Sequence, residues 1–446
     1  MNLNEIYKDK YLKYKTKYIN LKYNIKGGGS GKNNSHVSYN EYNTALKAVK
    51  ENGWELEFCS PELQNNQDIV LTAIKQNGWA LKFASNELQN NPTIVLPAVK
   101  KNGLVLEFAS SQLRNNPDIV LAAVKENGLG LKFASKELQN NPTIVMEAVK
   151  EHGMALEFAS KELQNNKQIV LRAIENKYSG GPLKFASTQL RDDYDLVLTA
   201  VKKHGSSLEF ASNKLKNNYD VVLEAIKNNP YSLEFASPEL RNNPDIVMEA
   251  VKKHLKWGPS LKFASKKLRN NYDIVKEAVK NYGPSLEYAS KELKNNYDIV
   301  LSAVKDYGPS LEYASKELRN NYNIVEEAIK NNAYSLKFAS PELKNNPSIV
   351  MEAVKYDSRA LQFASPELKN NPTIVMEAIK EVHWFEEFDN SEYYNKKKED
   401  YPVLKFASPE LKNNKQIVLE AIKYNPHSIK YASPQLQKEL KNKIKI

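Results

Sequence analysis

The chain has 446 residues, a formal net charge of +11 and a single cysteine. One cysteine excludes an internal disulfide framework, and no run approaches the ~20 apolar residues of a membrane span. The charge is concentrated at the ends: residues 1–36 hold eight Lys against Glu5 and Asp9, residues 438–446 hold four Lys against Glu439, and the 401 residues between carry only +2, which argues against a broadly basic nucleic-acid surface.

Residues 1–26 form a separate element. Tyr7, Tyr11, Tyr14, Tyr18, Leu21 and Ile25 are spaced 4, 3, 4, 3 and 4, a heptad seam with lysines around it. The spacing predicts a short basic amphipathic helix. Three uses stay open: a solvated arm, a pairing or docking helix with Tyr11 and Tyr18 on its contact face, or a tether to an anionic surface. The segment is charged throughout and lacks the apolar core of a secretory signal. Residues 27–39, rich in Gly, Ser and Asn, read as a flexible linker. Gly31-Lys32 invites a phosphate-loop reading, which fails: Lys26 stands where the first Gly belongs, and Asn33 replaces the Ser or Thr.

From residue 40 to 437 the chain repeats itself. An Asn pair recurs at Asn65-Asn66, Asn90-Asn91, Asn115-Asn116, Asn140-Asn141 and Asn165-Asn166, a step of 25 residues each time. Asp192-Asp193 takes its place after a step of 27, and the pair returns through Asn413-Asn414, with steps of 28 to Asn270 and 43 to Asn413. A fixed period of this size predicts an all-α chain: a right-handed α-solenoid or superhelix of about fourteen ~25-residue helical copies.

Each copy carries its own punctuation. In "NNPDIVLAAVKENG" Asn116 is a natural N-cap, Pro117 sits at the first helical position, and Gly128 follows the last turn. Ile119, Val120, Ala123 and Val124 mark the buried face. In the other half, "LGLKFASKELQ", Ser135 is a cap for a short helix; several copies place Pro directly after that Ser, as at Pro61 and Pro341. The expected unit is one helix of about ten residues plus two short helical turns, too small to bury a core unless neighbours stack. Pro97 falls inside one long helix and should remove a backbone bond and bend it.

Stacking turns recurrent positions into rows. The residue before Phe/Tyr-Ala-Ser alternates in the early copies, Glu57, Lys82, Glu107, Lys132, Glu157, Lys184, and suggests a charge ladder between copies. The residue before the Asn pair is Gln64, Gln89, Arg114, Gln139 and Gln164, then basic throughout: Arg191, Lys216, Arg241, Arg269, Lys294, Arg319, Lys344, Lys369 and Lys412. Three residues on, Tyr194, Tyr219, Tyr272, Tyr297 and Tyr322 form a second row. A positive stripe edged by aromatics could hold a single nucleic-acid strand, phosphates on Lys or Arg and bases on Tyr. Exposed charges a Debye length apart also coexist without any partner.

Short insertions fall at 177–182 and 254–259, and a large one at about 381–402 adds 18 residues. The large one mixes Trp384, Phe385, Phe388, Tyr393 and Tyr394 with acids, a composition suited either to protein contact or to an exposed loop folded back on the array. His383 with Glu386 and Glu387 has metal-like spacing but lacks a second partner. Cys59 occupies a slot that is Ala in other copies and reads as a small buried residue. No nucleophile stands with a base, so no catalytic, metal or cofactor site is expected. Residues 438–446 read as a basic tail.

The unit "ALKFAS.EL.NN..IV..AVK.NG" resembles the repeat called domain of unknown function 4116, found in giant viruses of amoebae and some bacteria. The resemblance covers residues 40–437. The opening "YKDKYLKYKTKYINLK" resembles the first residues of many mimivirus-like proteins. The family name implies no activity, and no functional residue carries over. The resemblance implies a viral protein made in the host cytoplasm, with the viral factory or the virion as destinations. The expected function is a non-enzymatic scaffold for a host or viral protein, and the alternative is a single-stranded nucleic-acid holder. Oligomeric state is left open.

Overall fold

The computed structural model describes residues 39–176, 181–252, 259–381 and 402–441. These residues are helical in repeated units, and one isolated bridge, Tyr39 to Cys59, is the extended pairing among them. The helix expected at 1–26, most of the linker, and the bulk of all three insertions lie outside the described residues.

The copy that starts at Gly128 shows how the unit is made. A 3-10 helix, Gly128–Phe133, buries Leu131 and leads into Ser135. Ser135 Oγ accepts from the Leu138 N–H at 3.2 Å and starts a short turn, Leu138–Asn140. Asn141 then caps the long helix Pro142–Glu151, its side-chain oxygen accepting from Thr143 and Ile144 N–H at 3.0 and 3.2 Å. Two donors that the first turn leaves orphaned are satisfied this way. Ile144, Val145, Ala148 and Val149 fill the buried stripe, each at most 3% exposed, and neighbouring long helices pack through it. The helix of ten residues and the two short turns are the unit that the spacing predicts.

The glycine after the helix has a different role from the expected stop signal. The residue before it, Asn127, is extended, and the only positive φ among the described residues is at Gly181. A Cβ on Gly128 would instead fall inside contact distance of the Ala148 carbonyl, on the long helix of the next copy. Glycine is there for close approach between copies, not for a left-handed turn. Pro97 leaves its helix the full ten residues, Pro92–Lys101, and its ring is on the exposed side, where a missing N–H costs least.

By its contacts the chain divides into two compact units, Met1–Glu126 and Asn127–Ile446. In the first, Tyr39 closes the start of the array. Its N–H donates to Phe58 O at 2.8 Å, and its carbonyl accepts from Ser60 N–H at 2.9 Å, the place that a preceding copy fills elsewhere. Its hydroxyl donates to the buried Glu55 carboxylate at 2.8 Å. Within the second unit, Ser408 bonds Lys369 O and Asn370 at 3.0 and 2.7 Å, so the copies on either side of the large insertion are direct neighbours. The last helix, Pro434–Lys441, runs beyond residue 437: Leu440 is buried and Glu439 pairs with Lys415 at 2.6 Å. Residues 438–441 are therefore part of the folded array.

Candidate binding face

What joins one copy to the next is a bond pair that the sequence reading does not anticipate. Within each unit, the Ser of a Phe/Tyr-Ala-Ser donates its N–H to the carbonyl of the residue ahead of the previous Asn pair, as in Ser85 to Gln64 and Ser290 to Arg269, both 2.9 Å. The same Ser hydroxyl donates to the first Asn of that pair, at 2.5 Å for Ser110 to Asn90 and 2.7 Å for Ser265 to Asn242. Thus the second Asn caps its own helix while the first receives the next copy. Asp192 substitutes because a carboxylate oxygen accepts from Ser212 equally well. A signal for the bond is present: a Ser recurs twenty residues after each first Asn wherever the step is regular.

The side chain ahead of the Asn pair turns back on its own copy. Gln64 Nε2 donates to Leu56 and Glu57 carbonyls at 3.1 and 3.4 Å. Gln139 does the same to Leu131 and Lys132 at 3.1 and 3.2 Å, and Gln164 to Leu156 and Glu157 at 3.0 and 3.2 Å. These are end carbonyls of the 3-10 helix; the Leu carbonyl also accepts from the N–H three residues on, as Leu131 does from Ala134 at 3.2 Å. At the far end Gln437 donates to Lys430 and Ala432 carbonyls. A neutral amide is what this slot accommodates best.

The nine cations that replace Gln are half-buried in the same slot. Among the described residues none of them makes a side-chain hydrogen bond or ion pair. The Nε atoms of Arg191, Arg241, Arg269 and Arg319 are buried without a partner, a costly state for a donor. Burial holds the ammonium groups of Lys294, Lys344, Lys369 and Lys412 below the ordinary lysine range. Lys294 also feels Glu287 in its favour and Arg269 against it, and Lys344 feels Arg319 and Lys337 against it. Arg269 with Lys294, and Arg319 with Lys344, are therefore close enough to repel, and Glu287 and Lys337, each the residue before Phe/Tyr-Ala-Ser, border the same row.

That bordering residue changes along the chain. It is basic at Lys184 and Lys262, beside Arg191 and Arg269, and acidic at Glu209, Glu234, Glu287 and Glu312, beside Lys216, Arg241, Lys294 and Arg319. From there on it is Lys337, Gln362, Lys405 and Lys430, beside Lys344, Lys369, Lys412 and Gln437. The lysines of this second row lie over the ring that follows them, at 5.3 Å for Lys337 and Phe338 and 5.9 Å for Lys405 and Phe406.

The tyrosines expected to edge the stripe open the long helices. Tyr194, Tyr219, Tyr297 and Tyr322 are each the first residue of a long helix and about 40% exposed. Where a cation meets such a ring it comes from one turn along the same helix: Lys276 Nζ is 3.0 Å from the Tyr272 hydroxyl and 5.2 Å from its ring centre. In sequence the Asn pair lies between each ring and the cation ahead of it. The row also ends at Tyr322, with Pro347, Pro372 and Lys415 in the next positions.

The remaining candidate residues are soon placed. Tyr11, Tyr18, Trp384, Phe385, Phe388, Tyr393, Tyr394 and His383 lie outside the described residues. Cys59 is buried, its thiol donates to Glu55 O at 3.6 Å, and burial with the Glu55 charge pushes its pKa up to about 11, which leaves it a poor nucleophile. His152 follows a long helix with Nδ1 buried and unpartnered, and burial lowers its pKa. Among the described residues no group of three His, Cys, Asp or Glu is placed to hold a metal, and no helix is long and apolar enough to cross a membrane.

Short capped helices, bonded copy to copy through one Ser and one Asn, define an all-helical repeat protein. More particularly, the chain belongs to the family described as Domain of unknown function (DUF4116), whose model matches residues 43–89, 91–139, 141–191, 175–216, 193–241, 218–257, 243–294, 296–344, 346–391 and 398–437. No curated protein matches the chain.

Proposed function

We propose that the chain is a non-enzymatic scaffold that mediates protein–protein interaction, its copies stacked as a right-handed α-solenoid of about fourteen members. One observation carries this reading. Within each of the two units, the Ser-to-carbonyl bond between neighbouring copies keeps the same length, 2.8–3.0 Å. A surface built on so regular a bond presents its rows in fixed register, which suits an extended partner better than a small substrate. We place the partner, a host or viral protein, against this array, with the 381–402 insertion and the N-terminal helix as further contacts. The resemblance of the opening residues supports a viral origin and action in the host cytoplasm. Crosslinking mass spectrometry on the full chain, with and without residues 381–402, tests the reading. Recovery of no specific protein partner by either form would overturn it, and an unchanged partner set would remove the insertion from the interface.

The unpartnered cations favour a second reading, a single-strand nucleic-acid holder. It requires affinity that falls steeply with salt and drops when Arg269→Glu and Lys294→Glu are combined. Salt-insensitive binding, or none, removes it.

A further inference from the structure

We propose that the copies from Arg319 to Gln437 form a binding row for an extended acidic peptide, with carboxylates seated at Lys344, Lys369 and Lys412. The proposal rests on the scaffold reading and names its partner's chemistry.

Three observations lead there. First, the fold accommodates a neutral amide in this slot: Gln64, Gln139 and Gln164 each hold two end carbonyls of a 3-10 helix, and Gln437 holds the carbonyls of Lys430 and Ala432. A lysine forfeits both bonds and buries part of its charge, so its presence in successive copies is unexplained by packing. Second, these ammonium groups have no counter-charge of their own. Lys344 is flanked by Arg319 and Lys337, which disfavour its charged form. A carboxylate arriving there would meet desolvated donors, where charge-assisted bonds are strongest. Third, the bordering row is mixed in sign up to Glu312 and holds no acid after it, where it runs Lys337, Gln362, Lys405 and Lys430. The bordering row therefore adds no negative charge beside these lysines; the nearest acids in sequence, Glu342, Glu367 and Glu410, stand exposed at the start of the same short helices.

The same stretch disfavours a nucleic-acid strand. Base stacking needs rings, and the Tyr row stops at Tyr322, before the copies that hold Lys344, Lys369 and Lys412. Spacing fits a peptide. Packed helices lie ~8–10 Å apart, and an extended chain advances ~3.3–3.6 Å per residue. One copy thus spans about three residues, so an acid at every third position meets successive lysines. The order of the row is kept across the large insertion, because Ser408 bonds directly to the copy of Lys369.

The test uses the full chain and fluorescence anisotropy. The probes are a labelled 16-residue peptide of Gly and Ser with Glu at every third position, the same peptide with Gln for Glu, and a labelled oligothymidine of similar length. The variant combines Lys344→Gln, Lys369→Gln and Lys412→Gln, giving each slot the amide that other copies use, so folding is retained. A charge-matched control combines Lys50→Gln, Lys100→Gln and Lys125→Gln, all exposed. The expected result is binding of the Glu peptide alone, weakened at least ~10-fold by the slot variant and unmoved by the control. Equal binding by the slot variant, no binding by wild type, or preference for the oligothymidine would each overturn the proposal. If the peptide fails while crosslinking still recovers a protein partner, the scaffold reading stands and only this inference falls.

Discussion

The copy holding Gln164 and the copy holding Lys294 are built on the same bonds. In both, a Ser N–H reaches the previous copy at 2.9 Å, to Gln139 or Arg269. In both, a Leu N–H bonds that Ser hydroxyl at 3.2 Å, and an Asn caps the long helix. They part at one side chain. Gln164 is 5% exposed and holds two carbonyls; Lys294 holds none, and burial depresses its ammonium. The later copies also place Ser232, Ser260, Ser310 and Ser335 hydroxyls in the interior without a partner, where Ala80 and Ala155 fill the slot earlier. The shared bonds define the scaffold, and the difference marks where something other than folding has chosen the residue.

The comparison breaks if the shared parts are not equivalent. Leu156 and Leu286 are both fully buried, and their Ala variants should each lose ~2–5 kcal/mol in urea unfolding. A large loss at one with little at the other would mean that the copies are not energetically alike. Gly128→Ala and Gly283→Ala come next. Each new Cβ would press on the carbonyl of Ala148 or Ala303, and overpacking of this kind costs ~1–3 kcal/mol. Ala333 and Ser358 occupy the same slot in other copies, so the expected cost is moderate and folding survives. Melting temperatures of the two variants, measured side by side, check this.

Much of this architecture can be read from residues alone. The Asn caps, the Ser caps, the buried Ile-Val-Ala-Val stripe and the length of the long helix all follow from local chemistry, because each of those bonds closes within a few residues. The links between copies do not. The Ser–Asn bond joins residues twenty apart, and a sequence shows such a pair only as two separate periodicities. The cation row is legible as a row, but its half-buried setting is not, since burial there comes from the 3-10 helix of the same copy folding back over the slot. The tyrosines start the long helices while the cations sit in the short turns, a division that three residues of separation in the sequence do not reveal.

Removing the link itself should cost less than removing a core Leu. Ser160→Ala and Ser290→Ala each delete the acceptor of a Leu N–H and the donor to Asn140 or Asn270. A lost cap is worth ~0.5–2 kcal/mol. Equal losses in the two copies would confirm that the joint is common to both classes, and Ser→Thr at either site should recover part of the loss in the same unfolding assay.

The smallest effect carries the sign that matters most for the cation slot. Lys344→Gln should stabilise the chain by about 0.5 kcal/mol, since the amide regains two partly exposed carbonyl bonds, whereas an ordinary Lys-to-Gln change would do nothing. The pH dependence follows from the direction of the shift. Burial lowers the folded-state pKa of Lys344 below its unfolded value. The unfolded chain therefore binds the proton more readily, and stability rises with pH between the folded and unfolded pKa values. The penalty is fully present below the folded pKa and gone above the unfolded one. The difference in stability between Lys344→Gln and wild type should accordingly shrink as pH rises toward the unfolded lysine value, 10.5. Taking the difference cancels the opposite contribution of Tyr288 and Tyr313, whose pKa values burial raises. A gap that widens with pH, or a Gln variant less stable than wild type at neutral pH, would mean that lysine belongs in this slot for the sake of the fold, and the contrast between the two kinds of copy would lose its functional meaning.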